Sequence, residues 1–194
     1  MAMALHPHVV LRAQKELDEV LHGDRLPTFD DRPSLPYIDA IFREVLRWRP
    51  VTPLGFPHVA SEDDIYEGYF IHKNSIVIPN IWAMTRDPSK HEDPESFRPE
   101  RFLDANGQLT NEVEILTFGF GRRICPGRHV ASDTLWLLVA SVLTVFSITK
   151  AKDESGNEVD IDANDFTDEI VSRPSPFRCS IQPRSPAFLH LIPA

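Results

Sequence analysis

One of only two cysteines in this 194-residue chain, Cys125, sits in the run Phe118-Gly119-Phe120-Gly121-Arg122-Arg123-Ile124-Cys125-Pro126-Gly127. A cysteine kept for packing behaves as a small hydrophobe and needs no special surroundings. This one is surrounded by glycines and arginines. Gly119, Gly121 and Gly127 permit backbone conformations that a Cβ penalises and let the main chain pass close to a bound group. Amides turned inward in such a loop stabilise an anion, here a thiolate sulfur. Pro126 interrupts the chain just before a long apolar segment of helical pattern that starts near Arg128. The sulfur then lies close to a helix N-terminus, whose partial positive charge favours thiolate further. Arg123, two residues before the sulfur, is placed to pair with a carboxylate on whatever the sulfur holds. Phe118 offers a flat apolar wall.

A thiolate in a dry glycine loop, beside an aromatic ring and an arginine, suits haem with a cysteine axial ligand. The second cysteine, Cys179, is 54 residues away, which forms neither a zinc-ligand spacing nor a disulfide framework. This points to an intracellular, reducing setting.

Three helices must position the loop. Val9, Val10, Ala13, Leu17, Val20 and Leu21 form a helical stripe that ends before Gly23, with Lys15 and Glu19 one turn apart on its outer side. Ile38, Ile41, Phe42, Val45 and Leu46 form a second stripe, stopped by Pro50. Glu44 and Arg47 lie three apart in that helix, so they share a face, and the apolar stripe beside Glu44 predicts partial burial of the pair. The third helix runs from Arg128 to about Phe146, with Leu135, Leu138, Val139, Val142, Leu143 and Phe146 expected to face the core. Between the second and third lie an extended link, Val51 to His58, and two β-branched and aromatic runs, Ile65 to Ile71 and Ile76 to Ile78. Gly68 is expected to mark a bulge in the first run. Ile170 to Ser172 and Phe177 to Gln182 are further extended runs, followed by a frayed tail. The pattern predicts a mainly α fold with small β-sheets, an α+β class.

Composition narrows the function. Apolar residues make up 42% and charged residues 25%, as in a water-soluble globular chain. A net charge of −9 argues against nucleic acid as a partner. The acids cluster: eight fall between Lys150 and Glu169, whereas none lies between Glu114 and Asp133, the stretch holding Arg122, Arg123 and Arg128. The cysteine loop is thus a basic patch on an acidic protein, either a set of solvated charges or a docking surface for an acidic electron donor. The longest apolar run, Leu135 to Ile148, is too short to cross a bilayer, so no membrane span is expected.

The loop matches the signature Phe-x-x-Gly-x-Arg-x-Cys-x-Gly at every fixed position. With Glu44-x-x-Arg47 and Phe97-Arg98-Pro99-Glu100-Arg101-Phe102, it resembles the cytochromes P450, in wording that looks fungal. The resemblance runs from residue 1 to about Arg184 and implies a single partial domain over 1–194, the C-terminal, haem-ligating portion of that fold. The N-terminal membrane anchor and the oxygen-binding helix of the family are expected to be absent, so no residue of this chain is assigned a catalytic role. By resemblance, Cys125 is the axial ligand of haem b, and Arg123 and His58 (of the Pro57-His58 pair) hold its propionates. Phe118, Gly121 and Gly127 shape the proximal wall, and Arg101 joins Glu44 and Arg47 in a structural triad. Thr85 stands where many members have His. The implied reaction is insertion of one oxygen atom from dioxygen into a hydrophobic small molecule, with NADPH electrons delivered by a reductase or a cytochrome b5-type donor. The full-length setting is the cytoplasmic face of the endoplasmic reticulum membrane. Two other readings stay open: a truncated gene product without activity, or a haem-thiolate binding or sensing module. The chain by itself is expected to be inactive, with the apolar faces of residues 38–46 and 135–146 left uncovered.

Overall fold

A computed structural model describes residues 1–110 and 115–192 of the chain. Two of its long helices open on proline. A short helix α1, Ala2–Leu5, leads into α2, Pro7–Leu21, and α3 follows at Pro36–Trp48. Proline suits a first turn, where its missing N–H would have found no intrahelical acceptor and its fixed φ is already helical. The free amides that remain at the start of α3 are met from α2: Glu16 accepts from the Tyr37 amide at 2.9 Å and the Ile38 amide at 3.1 Å. A carboxylate there also answers the positive end of the α3 dipole. α2 stops where His22 turns left-handed at φ 55°.

α4 is a single turn, Ile81–Met84, capped by Asn80, whose side chain accepts from the Ala83 amide at 3.0 Å. The last long helix, α5, spans Arg128–Val145. Strands are short and pair antiparallel in three two-stranded sheets among the described residues. β1, His58–Val59, pairs with β4, Ile76–Val77, placing His58 opposite Val77. β2, Asp64–Tyr66, turns into β3, Tyr69–Ile71. Glu67 and Gly68 both have positive φ, 48° and 85°, as a two-residue hairpin turn requires. Gly68 therefore turns the chain rather than bulging one strand. β5, Phe146–Lys150, continues directly from α5 and pairs with β6, Cys179–Pro183.

The core lies where α2, α3 and α5 meet. Val9, Ala13 and Leu17 of α2 pack with Ile38 and Ile41 of α3 and with Trp136, Ala140 and Leu143 of α5. Polar ties hold the same contact: Gln14 donates to the carbonyls of Leu143 and Phe146, and Arg32 bridges Asp39 of α3 at 2.7 Å and Asp133 of α5 at 2.8 Å.

Three further expectations are corrected. The 38–46 stripe is not uncovered: Ile38 and Ile41 are fully buried, Phe42 and Leu46 nearly so, and Val45 alone among the stripe residues is exposed. α5 buries Trp136, Ala140, Leu143, Thr144 and Val145, whereas Leu135 and Leu138 are exposed, Leu138 at 57%. This helix is apolar nearly all round, so no polar face marks its outside. The close-packed pairing of bulky Trp136 with small Ala140 decides which side faces in. Finally, residues 184–192 pack back on α2 rather than forming a frayed tail. Arg184 grips Asp18 of α2 through two bonds, 2.8 and 2.5 Å, and stacks on Phe188 within the 3-10 turn Pro186–Leu191.

Candidate functional site

The cysteine loop is two 3-10 turns, Leu116–Phe118 and Gly121–Arg123, folded back on themselves before α5. The closing bond runs from the Cys125 amide to the Phe118 carbonyl at 2.9 Å. Gly119 (φ 72°, ψ −167°) and Gly121 (φ 64°) occupy backbone regions that side chains rarely tolerate. A Cβ placed on either would meet nothing within 4 Å, so these glycines serve the torsions of the turn and face open space. Gly127 differs. Its φ is −82°, open to any residue, and a Cβ there would sit an ordinary 3.9 Å from Cys125 Sγ. The amides of Gly119, Ile124 and Cys125 all donate to carbonyls of the loop itself, so these three are not donors to a sulfur.

Cys125 carries a free, partly buried thiol two residues before Gly127, the N-cap of α5. Its carbonyl accepts from the Arg128 amide at 3.3 Å and from Arg128 Nη1 at 3.4 Å, so Arg128 helps close the join between loop and helix. Arg122 and Arg123 are exposed and have no ion pair among the described residues. Phe118 is half-buried and Phe120 exposed. His58 lies on β1, exposed, without a side-chain hydrogen bond among the described residues.

The structure brings Glu44, Arg47 and Arg101 together. Glu44, fully buried, accepts from Arg47 Nε at 2.7 Å and Arg47 Nη2 at 2.8 Å. Arg101 Nε approaches the same carboxylate at 3.1 Å, and the Arg98 amide adds a fourth donor at 2.7 Å. One anion and two guanidiniums leave an excess positive charge, which backbone carbonyl dipoles meet. Arg47 donates to the carbonyls of Thr85, Pro94 and Ser96; Arg101 donates to those of Glu92, Asp93 and Ser96. Burial outweighs the attraction of Glu44 and pushes the Arg101 pKa below its ordinary value. Thr85 contributes its main-chain oxygen to this network, while its hydroxyl is occupied by the carbonyls of Ile81 and Trp82. The departure from His at this position leaves the Arg47 contact intact. Sequence reasoning missed the Arg98 amide and His91, which is buried beside the network with Nδ1 unpartnered among the described residues. A main-chain donor has no residue signature, and His91 sits in a loop without periodicity.

A cleft of about 610 Å³ opens between the link after α3 and residues 164–172, walled by Leu54, Pro57, Trp82, Phe166 and Ile170. Its two sides are tied by the Ser172 amide, which donates to the Val51 carbonyl at 2.8 Å. Arg49 spans its floor, bonded to the Ala163 carbonyl at 2.7 Å and Asn164 Oδ1 at 2.8 Å. No helix among the described residues is long and apolar enough to cross a membrane.

Comparison with known proteins agrees with this layout. The family model for Cytochrome P450 matches residues 1–180. Cytochrome P450 monooxygenase claR of Ampulloclitocybe clavipes is 47% identical over 193 residues, 99% of this chain and 36% of that protein. Cytochrome P450 monooxygenase 58 of Postia placenta is 49% identical, covering 95% of this chain and 36% of its own length. Cytochrome P450 monooxygenase ARMGADRAFT_974139 of Armillaria gallica is 48% identical over 99% of this chain and 37% of its own length. The chain spans a little over a third of these fungal relatives. A match across residues 1–180, taking in both the cysteine loop and the buried carboxylate network, makes this chain a member of the cytochrome P450 family.

Proposed function

We propose that this chain is the haem-ligating portion of a monooxygenase that oxidises a hydrophobic small molecule, with Cys125 as the axial ligand. The observation that carries the reading is the placement of Cys125: a free, partly buried thiol beside two left-handed glycines with open space over them, at the entry to α5. The residues fit a haem. A single soft sulfur is the donor a thiolate-ligated iron needs, and the open glycine turns admit a flat macrocycle. Arg122 and Arg123, exposed and without an ion pair among the described residues, stand beside the loop.

When bound, thiolate-ligated haem supplies the activation of dioxygen, using electrons that in this reading come from NADPH through a reductase or a cytochrome b5-type donor. The chain's own residues bind and orient it. Cys125 would hold the iron through its sulfur. Phe118, Gly121 and Gly127 form the wall behind the cofactor. Arg123 and His58 would pair with the propionates, since both are exposed and neither side chain is bonded among the described residues. Arg122, with Arg123, presents positive charge to an acidic electron donor, which speeds encounter more than it adds affinity. Leu54, Trp82, Phe166 and Ile170 offer an apolar wall to a hydrophobic substrate. In this reading the whole protein works at the cytoplasmic face of the endoplasmic reticulum membrane.

The test is spectroscopic. Reduced protein supplied with haem and carbon monoxide is expected to show the red-shifted Soret band of thiolate ligation, and Cys125→Ser is expected to abolish it. Retention of that band in Cys125→Ser would end the assignment.

A further inference from the structure

The last turn of α3 contains a carbonyl that the sequence deprives of its usual partner. Leu46 O would ordinarily accept from the amide four residues on, but that residue is Pro50, which has no N–H. Leu46 is 5% exposed, so water does not readily take the place of the missing donor. A buried acceptor left unmet costs free energy. Here it is met from the cysteine loop: Thr117 Oγ1 donates to Leu46 O at 2.9 Å.

Thr117 directly precedes Phe118, whose carbonyl accepts the Cys125 amide at 2.9 Å. Two hydrogen bonds and one peptide unit thus connect the end of α3 to the cysteine backbone. The same end of α3 carries Glu44 and Arg47, whose network fixes residues 85–101. We infer that Thr117 is a positioning residue for Cys125: its hydroxyl seats the loop on α3 and so sets where the sulfur stands. A residue needed only for bulk could as well be valine, which has the same shape; the hydroxyl is what the orphaned carbonyl requires.

This inference rests on Cys125 as the iron ligand, and its test separates the two. Wild type, Thr117→Val and Thr117→Ser are each supplied with haem, reduced and exposed to carbon monoxide. The quantity read is the fraction of bound haem in the red-shifted band, normalised to haem content so that lower yield does not count. Thr117→Val is expected to lower the ratio of red-shifted to unshifted haem about fivefold, the value of one hydrogen bond of ordinary strength. Thr117→Ser is expected to keep the wild-type ratio. A second readout needs no haem: in a Cys179→Ser background, alkylation of Cys125 by iodoacetamide should be about fivefold faster in Thr117→Val and unchanged in Thr117→Ser. A valine variant matching wild type in both measurements overturns the inference. So does a serine variant as defective as valine, which would mean that the methyl group is what matters. If wild type itself lacks the red-shifted band while alkylation rates still separate, the haem reading falls. The ligand-positioning role then falls with it, and only the loop anchor survives.

Discussion

At the scale of single residues, the buried carboxylate of Glu44 is where the most depends on one side chain. It holds two guanidiniums and a main-chain amide, and nothing else among the described residues offers Arg47 a negative partner. Glu44→Ala would strand those cations in the interior, which for a broken buried pair costs roughly 3–5 kcal/mol. Chemical unfolding should show that loss. Because Arg101 shares the same carboxylate, the Glu44→Ala and Arg101→Ala defects should fall short of additive, by about 0.5–3 kcal/mol in a double-mutant cycle. Strict additivity would mean that Arg101 is an independent surface charge. The pair spacing of Glu44 and Arg47 was readable in the sequence because helical residues three apart share a face. The carbonyls that complete the network were not, since they come from loop backbone at positions 85 to 96 whose path no side-chain pattern encodes.

His91 supplies a second prediction at this scale. Burial, then the neighbouring Arg47 and Arg101 charges, push its pKa below the ordinary value, so it is neutral when folded near pH 7. His6 is lowered too, chiefly by burial. The sign follows from proton binding. Above the ordinary histidine range neither state binds the proton and stability is unaffected. As pH falls through about 6.5 the unfolded chain takes up protons that the folded chain refuses, and stability declines until the folded pKa is reached. Denaturant midpoints measured from pH 7.5 down to 5.5 should therefore fall, and His91→Gln should flatten the slope, leaving the contributions of His6 and of the Met1 amine, which burial also lowers. An unchanged slope in His91→Gln would place the proton uptake elsewhere.

Among the elements, α5 shows best where sequence reading succeeds and where it stops. Its start after Pro126 follows from the proline and its end near Phe146 was expected, whereas strand β5, which continues directly from it, was not. Its inward face does not follow, because leucines and valines lie on every side and periodicity needs a polar side to read against. Only the fit of Trp136 against α2 and α3 settles it. The consequence is a reversed ranking of substitutions. Trp136→Ala should cost about 3–5 kcal/mol, as for other buried large aromatics. Leu138→Ala, on the exposed face, should stay within about 0.5 kcal/mol. Equilibrium unfolding of the two variants checks this directly, and a Leu138 loss comparable to that of Trp136 would mean the helix is rotated. The hairpin of β2 and β3 gives the same lesson in small. β-Branched and aromatic residues marked the strands, while Glu67 and Gly68 became legible as a turn only once register placed Tyr66 opposite Tyr69.

For the whole molecule, the decisive feature is how the apolar surface is divided. The helical core is closed: the stripes of α2 and α3 are covered by each other and by the inner face of α5. The outer face of α5 is not, with Val130 at 72% and Leu138 at 57% exposed, and Leu135 beside them. No described residue covers this face. Exposed apolar side chains on one element promote association. The 194-residue chain is therefore expected to fold around its closed core yet self-associate as concentration rises. Replacing Val130 and Leu138 together with lysine should reverse that, because neither side chain is needed inside and like charges would oppose contact between copies. Sedimentation velocity across a concentration series reads the association, and unfolding midpoints of the same samples read the fold. The double variant should sediment more slowly at high concentration with a midpoint close to wild type. If it instead associates as strongly as wild type, the contact lies elsewhere, and the exposed β2–β3 hairpin, with Tyr69 and Phe70, is the next surface to test.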